Sequence, residues 1–305
     1  MPNHLLATTI ISTCLLGLAL IGQQAQADTR ADDAASKSTP VAVEEIEHGK
    51  INTADASPVD PGQYEIESSF AVTRAKRFWD ASGHTHSRGV FRERNIGVSV
   101  TAGLVDNADM TVSGGYSWIR DNDNHFDEHA GMMGPFTGHG FTDLEIGGRY
   151  RLYNNEEQRL EIAYMAGVTI PTGSGSDRDD IGTSQEFWSF NQMLVATKDW
   201  GRWTLNGDIG FALPIGNKRE LARGSLNIDL ALGYQILPWL QPEVELNYSH
   251  DYLKGEDDTQ ALAITAGLVM PINETLRVNI GVQQSVWGEN AIKATTVCGS
   301  VRFAF

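Results

Sequence analysis

A strict alternation of apolar and polar residues is the feature that most constrains how this chain folds. Residues 141–175 read FTDLEIGGRYRLYNNEEQRLEIAYMAGVTIPTGSG, in which apolar residues such as Leu144 and Ile146 alternate with charged residues such as Glu145 and Arg149. The alternation resumes after a polar turn at 153–158. Because side chains of a strand point to opposite faces with a period of two, the stretch predicts a β-hairpin with one apolar and one polar face.

The same alternation recurs down the chain, and no long amphipathic helix is available to cover the apolar faces. A closed barrel in lipid accounts for this pattern, since apolar side chains then face the acyl chains and polar ones line the lumen. We predict an all-β transmembrane antiparallel β-barrel of about twelve strands over residues 62–305. An even number of strands places both chain ends in the periplasm.

Composition supports this class of fold. The hydrophobic fraction is 41%, yet no continuous apolar run long enough for a helical span follows the first twenty or so residues. The 23 Lys and Arg against 39 Asp and Glu give a formal charge of -16, which argues against nucleic acid or an anionic surface as a partner and favours cations or neutral solutes.

The N-terminus reads as an export signal. An apolar core from Leu5 to Ile21 is followed by the small-residue site Ala25-Gln26-Ala27, so we expect residues 1–27 to be a secretory signal peptide. Residues 28–61 are rich in Ala, Asp, Ser, Thr and Pro without a sustained period, and predict a flexible periplasmic lead-in that partly enters the lumen.

Two stretches resemble a known family. Residues 141–175, with the strand FTDLEIGGRYRL and the later IPTGSG, are similar to the outer-membrane family "MetA-pathway of phenol degradation", as is INTADASPVDPGQYEIESSF at 51–70. The resemblance covers residues from 51 to the C-terminus. It implies a transporter in the outer membrane of a Gram-negative bacterium, with aromatic or other hydrophobic compounds as solutes.

The C-terminus carries a second signature. The last residues, TTVCGSVRFAF, alternate and end on the aromatic Phe305, and they resemble the strand by which outer-membrane proteins are presented to the barrel assembly machinery. Outer-membrane lipid and lipopolysaccharide are the further partners expected of a barrel in this membrane.

Charged residues on the polar faces are the candidate lumen contacts. Partners across a hairpin share a face, so alternation places Glu161 opposite Arg149 or Arg151, and small inward groups on the tenth strand leave room for Glu243 and Glu245 to approach Arg277. These clusters either select solutes or hold the barrel in shape. The full candidate set is Asp143, Glu145, Arg149, Arg151, Glu161, Asp208, Asp229, Glu243, Glu245 and Arg277.

The sequence offers less support for a metal site or a catalytic site than for a lumen. His125 and His129 lie among acidic residues in a predicted outer loop, and residues 174–182 offer oxygen ligands, but neither matches a zinc or calcium template, so no metal or cofactor is predicted. Ser249 and His250 are adjacent and so point to opposite faces of a strand, which argues against a catalytic pair. We therefore predict no enzymatic activity.

The sequence thus predicts an outer-membrane channel for the passive uptake of small molecules. The alternative is a non-transporting structural or surface-binding barrel whose lumen is plugged. An open lumen favours the first function, and a lumen occluded by residues 28–61 favours the second.

Overall fold

Twelve antiparallel strands close into a barrel in the computed structural model of this chain, which describes residues 50–123, 126–127, 132–133, 135–175, 181–216, 222–254 and 257–305. The predicted twelve-stranded barrel is therefore confirmed, whereas the proposed signal peptide lies outside the described residues. The strands are Tyr64–Trp79 (β1), Thr85–Val105 (β2), Ala108–Asp121 (β3), the two segments Phe136–Phe141 and Leu144–Asn155 (β4), Leu160–Ile170 (β5), Trp188–Trp200 (β6), Trp203–Ile215 (β7), Ala222–Tyr234 (β8), Gln241–Leu253 (β9), Thr259–Asn273 (β10), Leu276–Glu289 (β11) and Ile292–Ala304 (β12).

Each strand pairs with its neighbours in sequence, and the ring closes between β1 and β12. Both segments of β4 pair with β3, so they form one strand with a break. Two short segments, Phe126–Asp127 and Met132–Met133, pair with each other between β3 and β4. Within the described residues, no helix is long and apolar enough to cross a membrane.

Burial is inverted relative to a soluble protein. Outward residues such as Ile96 and Val244 are 51% and 52% exposed, whereas inward polar residues such as Asn206 and Glu245 are 0% exposed. This inversion is what the alternating sequence requires in lipid, because acyl chains solvate the apolar face and the polar face packs inside.

Tryptophans mark the two edges of the apolar belt. Trp118, Trp188 and Trp287 are exposed toward the outer ends of their strands, and Trp200, Trp203 and Trp239 lie at the periplasmic end. Amphipathic rings favour these two membrane interfaces.

Trp79 and Pro242 both lie within strands. Trp79 ends β1 and is buried against Ala261 and Ala291. Pro242 lies near the start of β9, in regular register opposite Leu268. The ladder with β8 ends at Glu243, one residue further into the strand, so the missing N–H of proline interrupts no bond on that side.

Candidate functional site: the lumen and its plug

The predicted lumen residues lie on the inner wall of the barrel. Alternation places them on the inward faces of β4, β5, β7, β8, β9 and β11, where they contact one another, other residues of the wall or a segment that runs inside the barrel. Those on strands are Glu145, Arg149, Arg151, Glu161, Asp208, Asp229, Glu243, Glu245 and Arg277, while Asp143 lies in the break of β4.

Residues 50–60, hereafter the plug, run as an irregular segment around the periplasmic half of the lumen. They bond in turn to the inner faces of β11, β9, β7, β6, β5 and β3, which is the reverse of the strand order. The plug ends where the Gly62 amide donates to the Gly103 carbonyl at 3.1 Å. A Cβ added at Gly103 would lie 1.9 Å from the Asp60 carbonyl oxygen, so the plug requires glycine at this position of β2.

Glu245 is the main anchor of the plug. Its carboxylate accepts hydrogen bonds from three consecutive main-chain amides, those of Ile51, Asn52 and Thr53, at 3.0–3.2 Å. Successive amides that point at one site form an anion-binding concavity. The side chain of Glu245 is therefore satisfied although it is fully buried.

Glu243 provides a second anchor through an ion pair with Lys50. The Lys50 Nζ lies 3.3 Å from Glu243 Oε2, and both side chains are inaccessible to solvent. The sequence had suggested that Glu243 and Glu245 approach Arg277. Instead they bind the plug, and Arg277 lies 3.9 Å from Glu67 of β1. The expectation was wrong because it considered only strand residues.

The centre of the plug is held by β7. The Ala54 amide donates to Asp208 at 3.1 Å, and Asn206 Nδ2 donates to the Ala54 carbonyl at 3.2 Å. Asp208 is directly opposite Asp229 in the β7–β8 ladder. Asp229 accepts instead from Asn247 at 2.9 Å, so only one of these two carboxylates binds the plug.

Arg149 joins the plug to β3. Its guanidinium donates to Asp55 of the plug at 3.0 Å and to Asp109 at 3.1 Å. Asp109 also accepts from the Val59 amide at 2.9 Å. One buried cation therefore balances two carboxylates, one on the barrel and one on the plug.

Glu161 binds the plug from β5, but its partner in the β4–β5 ladder is not the one that alternation predicted. A bulge between Arg151 and Tyr153 places Glu161 opposite Asn154 rather than opposite either arginine. Arg151 nevertheless reaches across the ladder to Glu161 at 3.7 Å, and Glu161 also accepts from Ser57 of the plug at 2.9 Å.

Apolar contacts accompany these polar anchors at two places. Ala54 and Ala56 of the plug pack against inward residues of β5 and β6, among them Ala163 and Val195. The Ile51 side chain lies against Gly267 of β10 and Gly281 of β11. The plug is thus bound chiefly by hydrogen bonds and ion pairs.

A second closure lies at the outer end. Asp143 accepts from the amides of Gly173 and Gln185 at 3.0 and 2.8 Å, and this clamps the β5–β6 connection over the break in β4. The connection inserts Ile181, whose amide donates to the Thr137 carbonyl at 2.7 Å.

Ile181 packs on an inward apolar cluster of Ala75, Phe91, Ile119 and Ala294, hereafter the outer seal. The outer closure is therefore apolar, whereas the plug is polar. On the periplasmic side of the outer seal, Glu145 accepts from Asn191 at 3.2 Å. Glu145 therefore belongs to the wall rather than to either closure.

Among the described residues, the remaining candidates are not brought together into a metal or catalytic site. His125 and His129 lie outside the described residues, and no group of three or more His, Cys, Asp or Glu able to hold a metal occurs among those described. Ser249 pairs with Asn227, and its neighbour His250 instead stacks on Tyr252 with ring centroids 4.0 Å apart.

Sequence reasoning missed Lys50, Asp55 and the plug amides. Main-chain donors carry no signal in a sequence, and the plug has no periodicity. Asp109 carried a usable signal, because it occupies an inward position in the alternation of β3.

Comparisons with solved structures agree with this architecture. The COG4313 outer membrane channel from Pseudomonas putida F1 superposes with a TM-score of 0.69 at 12% identity, covering 84% of this chain and 100% of that one. The Pseudomonas putida toluene transporter TodX gives a TM-score of 0.44 at 10% identity, covering 83% and 95%. The first likeness shows the fold of an outer-membrane barrel, and the second is too weak to carry an argument.

No curated protein sequence matches this chain. The model of the family described as "Putative MetA-pathway of phenol degradation" matches residues 124–303, which is more than half of the chain. The closed barrel with its lipid-facing apolar belt is an outer-membrane protein, and the chain belongs to this phenol-degradation family.

Proposed function

We propose that this protein is a passive outer-membrane channel for small molecules that rests in a closed state. The observation that carries the proposal is the chemistry of the plug. It is bound by hydrogen bonds and ion pairs to Glu243, Glu245, Asp208 and Arg149, all of which water can replace when the plug leaves. The lumen residues then form the polar wall of the opened path.

We propose small aromatic or hydrophobic compounds as the solutes. The outer seal supports this assignment, because Phe91 and Ile119 offer an apolar surface on which a solute can replace Ile181. A hydrophilic solute would gain nothing from that exchange. The membership in a phenol-degradation family points in the same direction.

The alternative function is a structural or surface-binding barrel that does not transport. The plug inside the lumen and the insertion of Ile181 at the outer end favour it, and a plug that never leaves would make the barrel inert. The two functions differ in whether the plug can be displaced without unfolding the barrel.

A reversible cross-link distinguishes them. Ala56 of the plug and Ala163 of β5 belong to one apolar cluster, so the pair Ala56→Cys and Ala163→Cys, in a Cys298→Ser background, should tether the plug when oxidised. Single-channel recordings in planar bilayers should show openings, blocked by benzoate, that disappear on oxidation and return on reduction. A folded barrel that stays silent in both states, and also after deletion of residues 28–61, would support the structural function.

We further propose the processing and assembly steps that the sequence suggested. Residues 1–27 would be removed on export, residues 28–49 would precede the plug in the periplasm, and 62–305 would form the barrel domain. The barrel assembly machinery would receive the last strand through Phe305. This is supported by the seam, where Tyr64 and Phe305 exchange main-chain hydrogen bonds of 2.8 and 2.9 Å.

A further inference from the structure

Three arginines form a row on the outside of the barrel. Arg74 of β1 lies directly opposite Arg92 of β2, and Arg92 lies directly opposite Arg120 of β3. All three are exposed and share the face of the lipid-facing residues Phe70 and Ile96. Like charges directly opposite each other destabilise a sheet, so an anion bound to this row would relieve the repulsion.

The protein does not supply that anion from the same strands. Every carboxylate on β1, β2 and β3 occupies an inward position, and among the described residues none lies within 4.0 Å of Arg74, Arg92 or Arg120. Arg120 instead donates to the neutral side chain of Asn122 at 2.9 Å. These inward carboxylates are Glu65, Glu67, Glu93, Asp109 and Asp121.

The position of the row on the barrel identifies what it faces. Tyr64 marks the periplasmic end of β1, and Arg74 follows ten residues later. At about 3.4 Å per residue and a strand tilt of about 40°, the two are roughly 25 Å apart along the barrel axis, which is the height of the apolar belt. The row therefore lies at the level of the headgroups of the outer leaflet.

Two further rows below the arginines complete an amphipathic surface. The next one places Arg94 opposite Trp118, which is opposite His139. The one beneath it contains Phe70, Ile96, Tyr116 and Phe141, again in direct register. Charge thus gives way to aromatic and then to apolar groups along the direction in which a lipid lies.

We infer that this surface is a binding site for a phosphorylated glycolipid of the outer leaflet, of the lipid A type. The guanidinium groups of the arginine row would bind its phosphates in bidentate fashion, and the row of Phe70 and Phe141 would contact its acyl chains. The chain as a whole carries a formal charge of -16, so its attraction for an anionic lipid is confined to this surface. It is independent of the lumen and of the proposed transport.

The test compares lipid A carrying two phosphates with its dephosphorylated form, measured by native mass spectrometry of the refolded mature protein in detergent. The variant is Arg74→Gln, Arg92→Gln and Arg120→Gln together. Near a charged surface each arginine contributes about fivefold in affinity, so we expect the triple variant to bind the phosphorylated lipid roughly a hundredfold more weakly. Binding of the dephosphorylated lipid should not change.

A matched control makes the same change of charge at the other end of the barrel. Lys198, Arg159 and Arg202 lie at or near the β4–β5 and β6–β7 turns, and their replacement by glutamine should leave lipid A binding intact. If the control loses binding as strongly as the triple variant, or if the wild type does not distinguish the two lipids, the inference is overturned.

Thermal unfolding distinguishes a lipid-binding role of the arginine row from a purely structural one. In neutral detergent, Arg92→Gln should raise the unfolding midpoint because it relieves repulsion from both neighbours. With phosphorylated lipid A present, the same variant should gain less stabilisation than the wild type. A midpoint that is lowered in both conditions would contradict the inferred site.

Discussion

Replacing Glu245 with alanine tests whether the plug is held by a few polar anchors. The wild-type carboxylate accepts from the amides of Ile51, Asn52 and Thr53, and it is fully buried. In the variant the amides of Asn52 and Thr53 lose their acceptor, whereas the Ile51 amide keeps Glu243 at 3.1 Å. The two donors are orphaned only in the closed state, since water reaches them once the plug has left. An orphaned buried donor costs about 1–3 kcal/mol, and water that enters the space left by the side chain recovers part of this.

A net loss of about 3 kcal/mol follows, which shifts the equilibrium between closed and open by roughly a hundredfold. The assay is the open probability of single channels in a planar bilayer. We expect the Glu245→Ala variant to open about a hundred times more often than the wild type, while its heat-modifiable migration on a gel still reports a folded barrel.

Asp229→Ala is the matched control. It also removes one inward carboxylate, but Asp229 bonds to Asn247 of the wall and not to the plug. Its open probability should stay within a few-fold of the wild type. If both variants open equally, loss of lumen charge rather than loss of the anchor controls opening, and if Glu245→Ala stays closed while folded, the reasoning fails.

Three further outcomes are expected. Gly138→Ala would bring a Cβ to 1.9 Å from the Ile181 carbonyl oxygen, so it should displace the outer closure and speed maleimide labelling of an Ile181→Cys reporter severalfold, and unchanged labelling would contradict this. Arg149→Met leaves the buried carboxylate of Asp109 and the partly exposed one of Asp55 without their cation, and it should destabilise the barrel by about 3 kcal/mol in urea unfolding. A much smaller loss would mean that water replaces the guanidinium. The pKa of Asp80, in the β1–β2 turn, is lowered from 3.8 to about 2, chiefly by the hydrogen bond from His86. The contribution of the Asp80 carboxylate to the stability of the turn should therefore be complete above pH 4 and lost as the pH falls through 2. NMR of the turn amides as a function of pH measures this loss.

Alternation predicted most of the fold because the bilayer enforces it at every position of a strand. It predicted the strand count and the inward positions of Glu243, Glu245 and Asp208 without any knowledge of tertiary contacts. In a barrel each strand pairs with its sequence neighbours, so topology follows once the strands are found.

The partners of those residues were harder to predict. The prediction of partners across a hairpin assumes an uninterrupted ladder. The single bulge after Arg151 was enough to give Glu161 a different partner from the one predicted. The contacts of Glu245 depend on main-chain amides of a segment whose side chains show no pattern. The residues of the wall can therefore be predicted from the sequence, whereas the segment that occupies the lumen is found only in the three-dimensional structure.

The reverse course of the plug constrains the order in which the protein can mature. Residues 50–53 bind β9, β10 and β11, whereas residues 55–59 bind β3 to β6, so the segment that leaves the translocon first finds its last ligands only after the C-terminal strands are in place. Until then Lys50 and the amides of Ile51 to Thr53 have no site in the barrel. Seating of the plug is thus a late event that reports completion of the ring, and an unfinished barrel remains unlocked.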